Sequence, residues 1–352
     1  MIGEYLSKVN GLFEDELSKK IFDARTRWYF SRGGIDETID MMYDYYKHSR
    51  ILGLESYPAD SKYVICGAGH YGDLTYRALT HAGYEVFCFL DNDANKKGNL
   101  KNGVPIKSFF EFVAEYPENC IVIIDNLRLQ TLFFNELCEL GFPQSKIYCT
   151  PDNIVRTLFG NIYFDLPQIK PSGEDVFIDA GCFSGETTFD FINWCNGKYK
   201  SIYAFEPMQD GYELSKCKLK DVKNLNLYKA ALSDQVGVAH FAQSFRGVRG
   251  SRLGERGDYV EEVKLETIDH VLSGERATFI KMDIEGAELA ALKGAEYTLK
   301  TYKPSLAISL YHKNEDMYEI PMWLKETVPE YKFYIRHYSK KRWYLVLYCA
   351  AI

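Results

Sequence analysis

The sequence predicts an α/β protein: two doubly wound, mostly parallel sheets in tandem, the second ending in an antiparallel hairpin, with a helical arm in front. Three observations predict it. Strand-like and helix-like stretches alternate twice, over about 60–150 and over 175–352, and such alternation builds a parallel sheet. Each stretch opens with a strand running into a glycine turn, "YVICGAGHYG" at 63–72 and "DVFIDAGCFSGETT" at 175–188. The last two strands, "YKFYIRHYS" and "WYLVLYCAAI", are separated only by "KKR", and so short a link joins only antiparallel neighbours.

Residues 1–57 form the expected helical arm. In "LFEDELSKKIFDARTRWYF" the apolar residues Leu12, Leu17, Ile21 and Phe22 recur at helical spacing, and Asp36 is a plausible N-cap for a second helix. The arm carries no catalytic motif. Packing against a neighbour, or a homo-oligomer contact, is its expected use. Residues 58–152 form the first α/β domain, with strands "KYVICGAG", "EVFCFLDND" and "CIVIID" around helices. Residues 153–352 form the second, with strands "DVFIDA", "SIYAFE", "LNLYKAAL", "ATFIKMDI" and "SLAISLYH" before the hairpin.

Composition narrows the function. The chain of 352 residues fits two domains, and 46% apolar residues supply their cores. No apolar run approaches the roughly 20 residues that span a bilayer. The first residues carry acids where a leader needs a basic start. A net charge of −7 argues against nucleic acid as partner, and "KKRW" reads as a solvated turn. None of the nine cysteines forms a CxxC pair, so neither a zinc knuckle nor a disulfide framework is indicated. They read as reduced, buried small hydrophobes, and the expected location is cytoplasmic.

The two glycine turns differ in chemistry. Gly67, Gly69 and Gly72 lie between a strand and a helix, and Asp91 ends the next strand, where a ribose-binding acid belongs. Three readings stay open for this turn: a nucleotide or nucleotide-sugar site, glycines kept only for tight packing, and redox chemistry on NAD. The second turn has two glycines, Gly181 and Gly185, and an acid, Asp179, at the strand end. A pyrophosphate is repelled by that acid. S-adenosylmethionine, with a sulfonium and an ammonium against one carboxylate, is attracted by it. Gly181 and Gly185 let the backbone approach the cofactor, and Glu206, ending the next strand in "YAFEP", can accept both ribose hydroxyls.

At these residues a resemblance appears. "VFIDAGCFSGETT", "YAFEP", "KAALSD", "LETIDHVL" and "FIKMDIEGAELAALKGA", in this order and with the closing "YIRHYS…YLVLYCA", resemble the FkbM family of S-adenosylmethionine-dependent methyltransferases. The resemblance covers residues 175–352. It implies a class I methyltransferase, Rossmann-like doubly wound sheet with a terminal antiparallel hairpin, and O-methylation, often of a sugar or glycoside hydroxyl. The commoner family loop has Asn at the position of Phe183. The stretch "LDNDANKKGNLKNGVPIKS" in the first domain resembles the small nucleotide-sugar-binding, Rossmann-like domain that precedes some sugar acyltransferases.

Methyl transfer to a hydroxyl is an in-line displacement that depends on orientation, and a base beside the hydroxyl helps. Asp283 ends the fourth strand of the second sheet, at the edge where ligands bind. Glu285 follows it; complementing a helix N-terminus is its alternative role, and that role is stronger for Glu288. His312, after the next strand, has three readings: a general base, since an unperturbed imidazole can accept a proton near neutral pH, a substrate hydrogen-bond partner, or no role. Asp283, Glu285 and His312 form a trio that a divalent metal can use, but such trios are common at strand edges and no metal is expected. Lys281 is a candidate partner for an acid. Asp234 follows the third strand and is expected near adenine. The stretch 243–259, rich in Gly and Arg, reads as a mobile loop whose Arg246, Arg249 and Arg252 meet an anionic acceptor or only solvent.

The reading is an S-adenosylmethionine-dependent O-methyltransferase acting on a sugar, glycan or glycoside, with a small-molecule or nucleotide-linked acceptor. A nucleotide-sugar oxidoreductase or epimerase is the rival, but the Tyr-x-x-x-Lys pair it would need is missing between residues 58 and 152. A non-catalytic S-adenosylmethionine-binding scaffold is the third.

Overall fold

The fold is that of a computed structural model, which describes residues 2–31, 37–38, 40–42, 54–125, 129–150, 162–243, 252–253, 259–339 and 343–351. Asp36, Arg246, Arg249 and the "KKR" link lie outside the described residues. The chain divides into two compact units, residues 39–160 and residues 1–38 with 161–352.

The unit of residues 39–160 holds strands β1 (Lys62–Cys66), β2 (Glu85–Leu90), β3 (Leu100–Lys101), β4 (Val104–Lys107), β5 (Cys120–Ile124) and β6 (Ile147–Cys149). They form one sheet in the order β3-β4-β2-β1-β5-β6, parallel except for the β3–β4 pair. β5 reads "CIVII" and is buried along its whole length, as a strand covered on both faces requires. Val64, Leu90, Phe109, Phe112, Val122, Leu137 and Phe142 form the core on one side of it.

The other unit holds β7 (Asp175–Ala180), β8 (Tyr199–Phe205), β9 (Leu225–Tyr228), β10 (Ala231–Leu232), β11 (Gly237–Gln243), β12 (Arg252–Leu253), β13 (Tyr259–Glu266), β14 (Phe279–Met282), β15 (Ser305–Ser309), β16 (Lys332–His337) and β17 (Leu345–Ala350). Seven of them make the main sheet, in the order β16-β17-β15-β14-β7-β8-β9. β17 runs antiparallel to both β15 and β16, so the terminal hairpin is present as expected. The chain leaves β7 toward β8 on one side, and β14 returns on the other. Such a reversal, at the carboxyl ends of β7 and β14, is where open α/β sheets form the crevice that binds ligands. One face is packed by aromatic rings: Phe177 stacks on Phe191 at 4.2 Å, with Phe164, Trp194 and Phe279 around them.

Two expectations change here. "LNLYKAAL" is not one strand, because β9 belongs to the main sheet and β10 to a second, four-stranded sheet ordered β10-β13-β11-β12. The stretch 243–259 was expected to be a mobile loop, yet its described residues Gln243, Arg252, Leu253 and Tyr259 all lie in strands of this small sheet. Its inner face is legible afterwards in "VKLE", where Val263 and Leu265 are buried and pack on Met208 and Ala231.

The helices Ile2–Asn10 and Glu16–Ser31 belong to this same unit. Phe13 bridges to Phe333, and the Glu14 amide donates to the Phe333 carbonyl at 3.0 Å. The edge of β16 is thus covered rather than left open to another chain. Asp15 does two jobs. One oxygen accepts from the Ser18 amide at 2.8 Å, capping the second helix, and the other accepts from the guanidinium of Arg336 at 2.7 Å. Arg336 is fully buried and also donates to Ser18 Oγ.

Burial alone would raise the Asp15 carboxyl; Arg336 and Ser18 outweigh it and hold it below its ordinary value of 3.8. Its contribution is therefore complete above that value and lost as pH falls through the folded one. Asp15→Ala is expected to cost about 3 kcal/mol, the lower end for breaking a buried pair, because Asp15 is partly exposed. In urea titrations the gap between wild type and Asp15→Ala should be constant above about pH 5 and shrink below it. A gap that widens in acid would refute the assignment.

Candidate functional site

The turn after β7 is set by close approach. Gly181 has φ +79°, and a Cβ there would lie 2.2 Å from the Asp283 carbonyl oxygen. Only glycine lets the β7 turn and the β14 turn touch. The amides of Gly181 and Cys182 both donate to the Phe205 carbonyl at 3.0 Å, which ties the turn to the end of β8. Phe183 also has positive φ, +47°. Asn tolerates that region several-fold better than a bulky residue, which accounts physically for Asn at this position in the commoner family loop.

Beneath the turn lies a buried ion pair. Asp179 and Lys281 are both inaccessible, with Nζ to Oδ1 at 3.0 Å. The other Asp179 oxygen accepts from Thr188 Oγ1 at 2.8 Å. Lys281 Nζ also donates to the carbonyls of Ala180, at 3.1 Å, and Gly181, at 2.7 Å. Burial pushes the Lys281 ammonium down, but Asp179 and Asp283 more than offset this and hold it above its ordinary value. Asp179 thus sits inside the protein, facing Lys281 and Thr188 rather than the crevice.

Glu206 follows β8, nearly buried. Its Oε2 accepts from the Phe183 amide and its Oε1 from the Met208 amide, each at 3.0 Å. Burial raises its carboxyl above the ordinary value, and the two amides only partly counter that. Asp179, Gly181, Gly185 and Glu206 are therefore gathered about one turn. Asp234 is exposed after β10, bonded to Ser233 Oγ at 3.2 Å, and bonds to none of these among the described residues.

On the other side of the crevice is an acidic cluster. Asp283 is one-quarter exposed. Its Oδ1 accepts from Tyr311 Oη at 2.7 Å and its Oδ2 from Tyr163 Oη at 2.9 Å. His312 Nδ1 bonds to Glu288 Oε1 at 2.8 Å, while Nε2 lies 3.4 Å from Asp283 Oδ1 and 3.6 Å from Glu285 Oε2. Glu285 reaches this position from a left-handed backbone, φ +56°, followed by Gly286 at +99°. Burial alone would lower the imidazole, but the bond to Glu288 and the charges of Asp283 and Glu285 push it up to about 9. Next to it, burial and the nearby Glu288 push the Asp316 carboxyl up to about 7.

Asp283, Glu285 and His312 are thus brought together, and so is Glu288, fully buried, which the sequence offered as a helix-start acid. Its Oε1 also accepts from the Ile284 amide at 3.0 Å. Tyr163 and Tyr311 were missed. Tyr311 could have been suggested by its place beside His312. Tyr163 gives no local signal, standing 120 residues from Asp283 in a stretch read as an irregular crossing.

In the other unit, Asp91 accepts from the Ala68 amide at 2.9 Å, the Asp93 amide at 3.0 Å and Lys96 Nζ at 2.8 Å. A Cβ on Gly72 would lie 1.8 Å from the Gly67 carbonyl oxygen, so this glycine is needed for helix–strand packing. Gly69 precedes the helix His70–His81 and faces open space.

Residues 179–333 match the Methyltransferase FkbM domain. Among solved structures, a Methyltransferase FkbM from Methylobacillus flagellatus KT is 18% identical, with 95% of this chain and 99% of that one covered and a TM-score of 0.49. An rRNA methylase from Streptococcus thermophilus is 14% identical over 52% of this chain and 88% of its own, with a TM-score of 0.34. Aeropyrum pernix fibrillarin, in complex with natively bound S-adenosyl-L-methionine, is 11% identical over 54% of this chain and 76% of its own, with a TM-score of 0.35. No curated protein matches the chain. On the domain match at residues 179–333, the chain is an S-adenosylmethionine-dependent methyltransferase. Among the described residues no helix is long and apolar enough to cross a membrane.

Lys281→Met leaves Asp179 buried without its counter-charge and is expected to cost about 3–5 kcal/mol in urea unfolding. Asp179→Asn combined with Lys281→Met should recover most of that loss. Additive losses in the double variant would mean the two charges do not depend on each other.

Proposed function

We propose that the enzyme methylates a hydroxyl of a sugar, glycan or glycoside. The observation that carries this reading is Asp283. A carboxylate at the carboxyl edge of the sheet, with each oxygen held by a tyrosine hydroxyl, is a fixed and partly exposed acceptor for a proton. The resemblance of the motifs to a family that often methylates sugar hydroxyls supports the choice of acceptor.

In this reading the adenosyl end of S-adenosylmethionine lies against the Gly181–Gly185 turn, with Glu206 receiving the ribose hydroxyls. Asp179 serves that turn through Lys281, as a positioning residue. The acceptor oxygen lies beside Asp283, Glu285 and His312. It attacks the methyl carbon in line with the sulfur, the sulfur–carbon bond breaks, and S-adenosylhomocysteine leaves. The hydroxyl proton passes to Asp283 Oδ2. The unit of residues 39–160 is read as binding a nucleotide or nucleotide-linked sugar, on the strength of its resemblance to nucleotide-sugar-binding domains. The engagement of Asp91 by Lys96 argues for a ligand other than an NAD ribose.

Asp283→Asn should lower turnover by about 10²- to 10⁴-fold with S-adenosylmethionine binding, followed by calorimetry, unchanged. Glu206→Ala should abolish that binding. Mass spectrometry after incubation with a panel of glycosides and nucleotide sugars tests the acceptor. Methyl transfer to amines alone, or full turnover in Asp283→Asn, would overturn the reading.

A further inference from the structure

The acidic cluster contains a buried atom that the chemistry above leaves idle. The His312 side chain is only 7% exposed. Its Nε2 has no hydrogen-bond partner among the described residues, although it is aimed at two carboxylates. A buried ring nitrogen left unpaired is costly, and a carboxylate 3.4 Å away that still makes no hydrogen bond indicates that the space between them suits another atom. The far side of the ring explains the arrangement. Glu288, fully buried, accepts from Nδ1 and is itself fixed by the Ile284 amide. A carboxylate behind a histidine fixes the ring's orientation and tautomer and raises the basicity of the opposite nitrogen, the device found behind metal-ligating histidines.

The distances agree. Two ligands held about 2.1 Å from one ion stand about 3.0 Å apart at a right angle and about 3.4 Å at a tetrahedral angle. His312 Nε2 is 3.4 Å from Asp283 Oδ1 and 3.6 Å from Glu285 Oε2, each close to the separation shown by two ligands of one ion. Asp283, Glu288 and His312 offer ligand atoms that all lie within 4.8 Å of one another. Glu288 already holds the ring, however, and belongs behind it. We propose that His312 Nε2, Asp283 Oδ1 and Glu285 Oε2 bind one divalent first-row metal ion, with Glu288 as the positioning residue behind the histidine. One nitrogen and two carboxylate oxygens suit Mn²⁺, Fe²⁺ or Zn²⁺ better than an all-oxygen ion such as Ca²⁺.

This deepens the proposed function and rests on it for the ion's use. With three protein ligands the ion keeps open positions. The acceptor oxygen would take one of them, and its hydroxyl would thereby lose its proton more readily. Asp283 Oδ2, on the side of Tyr163, remains available to receive the proton. No electron changes hands.

The test is binding of Mn²⁺ to the full-length protein, read as the loss of the free-ion electron paramagnetic resonance signal, with no acceptor present. Wild type should bind one ion per chain at this site. His312→Ala and Asp283→Asn should lose it, and Glu288→Gln should weaken it by about 10- to 100-fold. S-adenosylmethionine binding in each variant shows that it is folded. Wild type leaving Mn²⁺ free, or His312→Ala binding it as tightly as wild type, overturns the metal site. A wild type that methylates a sugar hydroxyl while binding no ion removes the metal and leaves the proposed function standing. One that binds the ion but methylates no hydroxyl does the reverse.

Discussion

The ammonium of Lys281 is the point on which the crevice depends. It is buried, charged, and shared among one carboxylate and two carbonyls, those of Asp179, Ala180 and Gly181. Taking an ammonium and a carboxylate out of water costs several kcal/mol each, so the pair is a poor source of stability. Its value is geometric. Of the two carbonyls, that of Ala180 also accepts from the Asp283 amide at 3.1 Å; that of Gly181 accepts from Lys281 at 2.7 Å, and this bond helps to fix where the turn goes. Gly181 can then touch the Asp283 carbonyl, and the two loops of the crevice are built in contact.

The crevice has two chemically distinct sides because of that contact. On the β7–β8 side the carboxylate of Glu206 is held by amides, with burial raising its proton affinity. On the β14–β15 side four acids, Asp283, Glu285, Glu288 and Asp316, surround one imidazole. Their mutual repulsion is visible in Asp316, whose carboxyl burial and Glu288 push up to about 7. Against the lowering effect of burial, Glu288, Asp283 and Glu285 push the His312 imidazole up to about 9. The left-handed backbone at Glu285 fits the same account, since strained residues persist where the surroundings over-determine them.

Much of this was legible in the sequence, and the failures have physical reasons. Strand–turn–helix units are local, so both sheets and the terminal hairpin could be read from alternation and link length. Gly181, Glu206, Asp283 and His312 fall at strand ends, where the period-two pattern stops, and could be placed. The docking of the N-terminal helices on β16 could not, because it depends on Asp15 meeting Arg336 across 321 residues. Tyr163 was hidden for the same reason. The small sheet was missed because Gly and Arg in 243–259 obscured the alternation of β13. Asp179 was read as facing the ligand because a carboxylate at a strand end usually does; only the burial of Lys281 beside it reveals the inward pairing.

The two units solve one problem in the same way and then diverge. In each, the acid after the second strand accepts the amide of the first glycine turn and the amide two residues beyond itself: Ala68 and Asp93 for Asp91, Phe183 and Met208 for Glu206. These acids are structural staples before they are ligand contacts. Carboxylate oxygens have two lone pairs each, so each staple leaves two places. In Asp91 one of them is taken by Lys96, which also neutralises the charge. Glu206 accepts no further hydrogen bond among the described residues, so one place is left on each of its oxygens. The acid at the turn with fewer glycines is therefore the less engaged of the two, with two donors against three among the described residues.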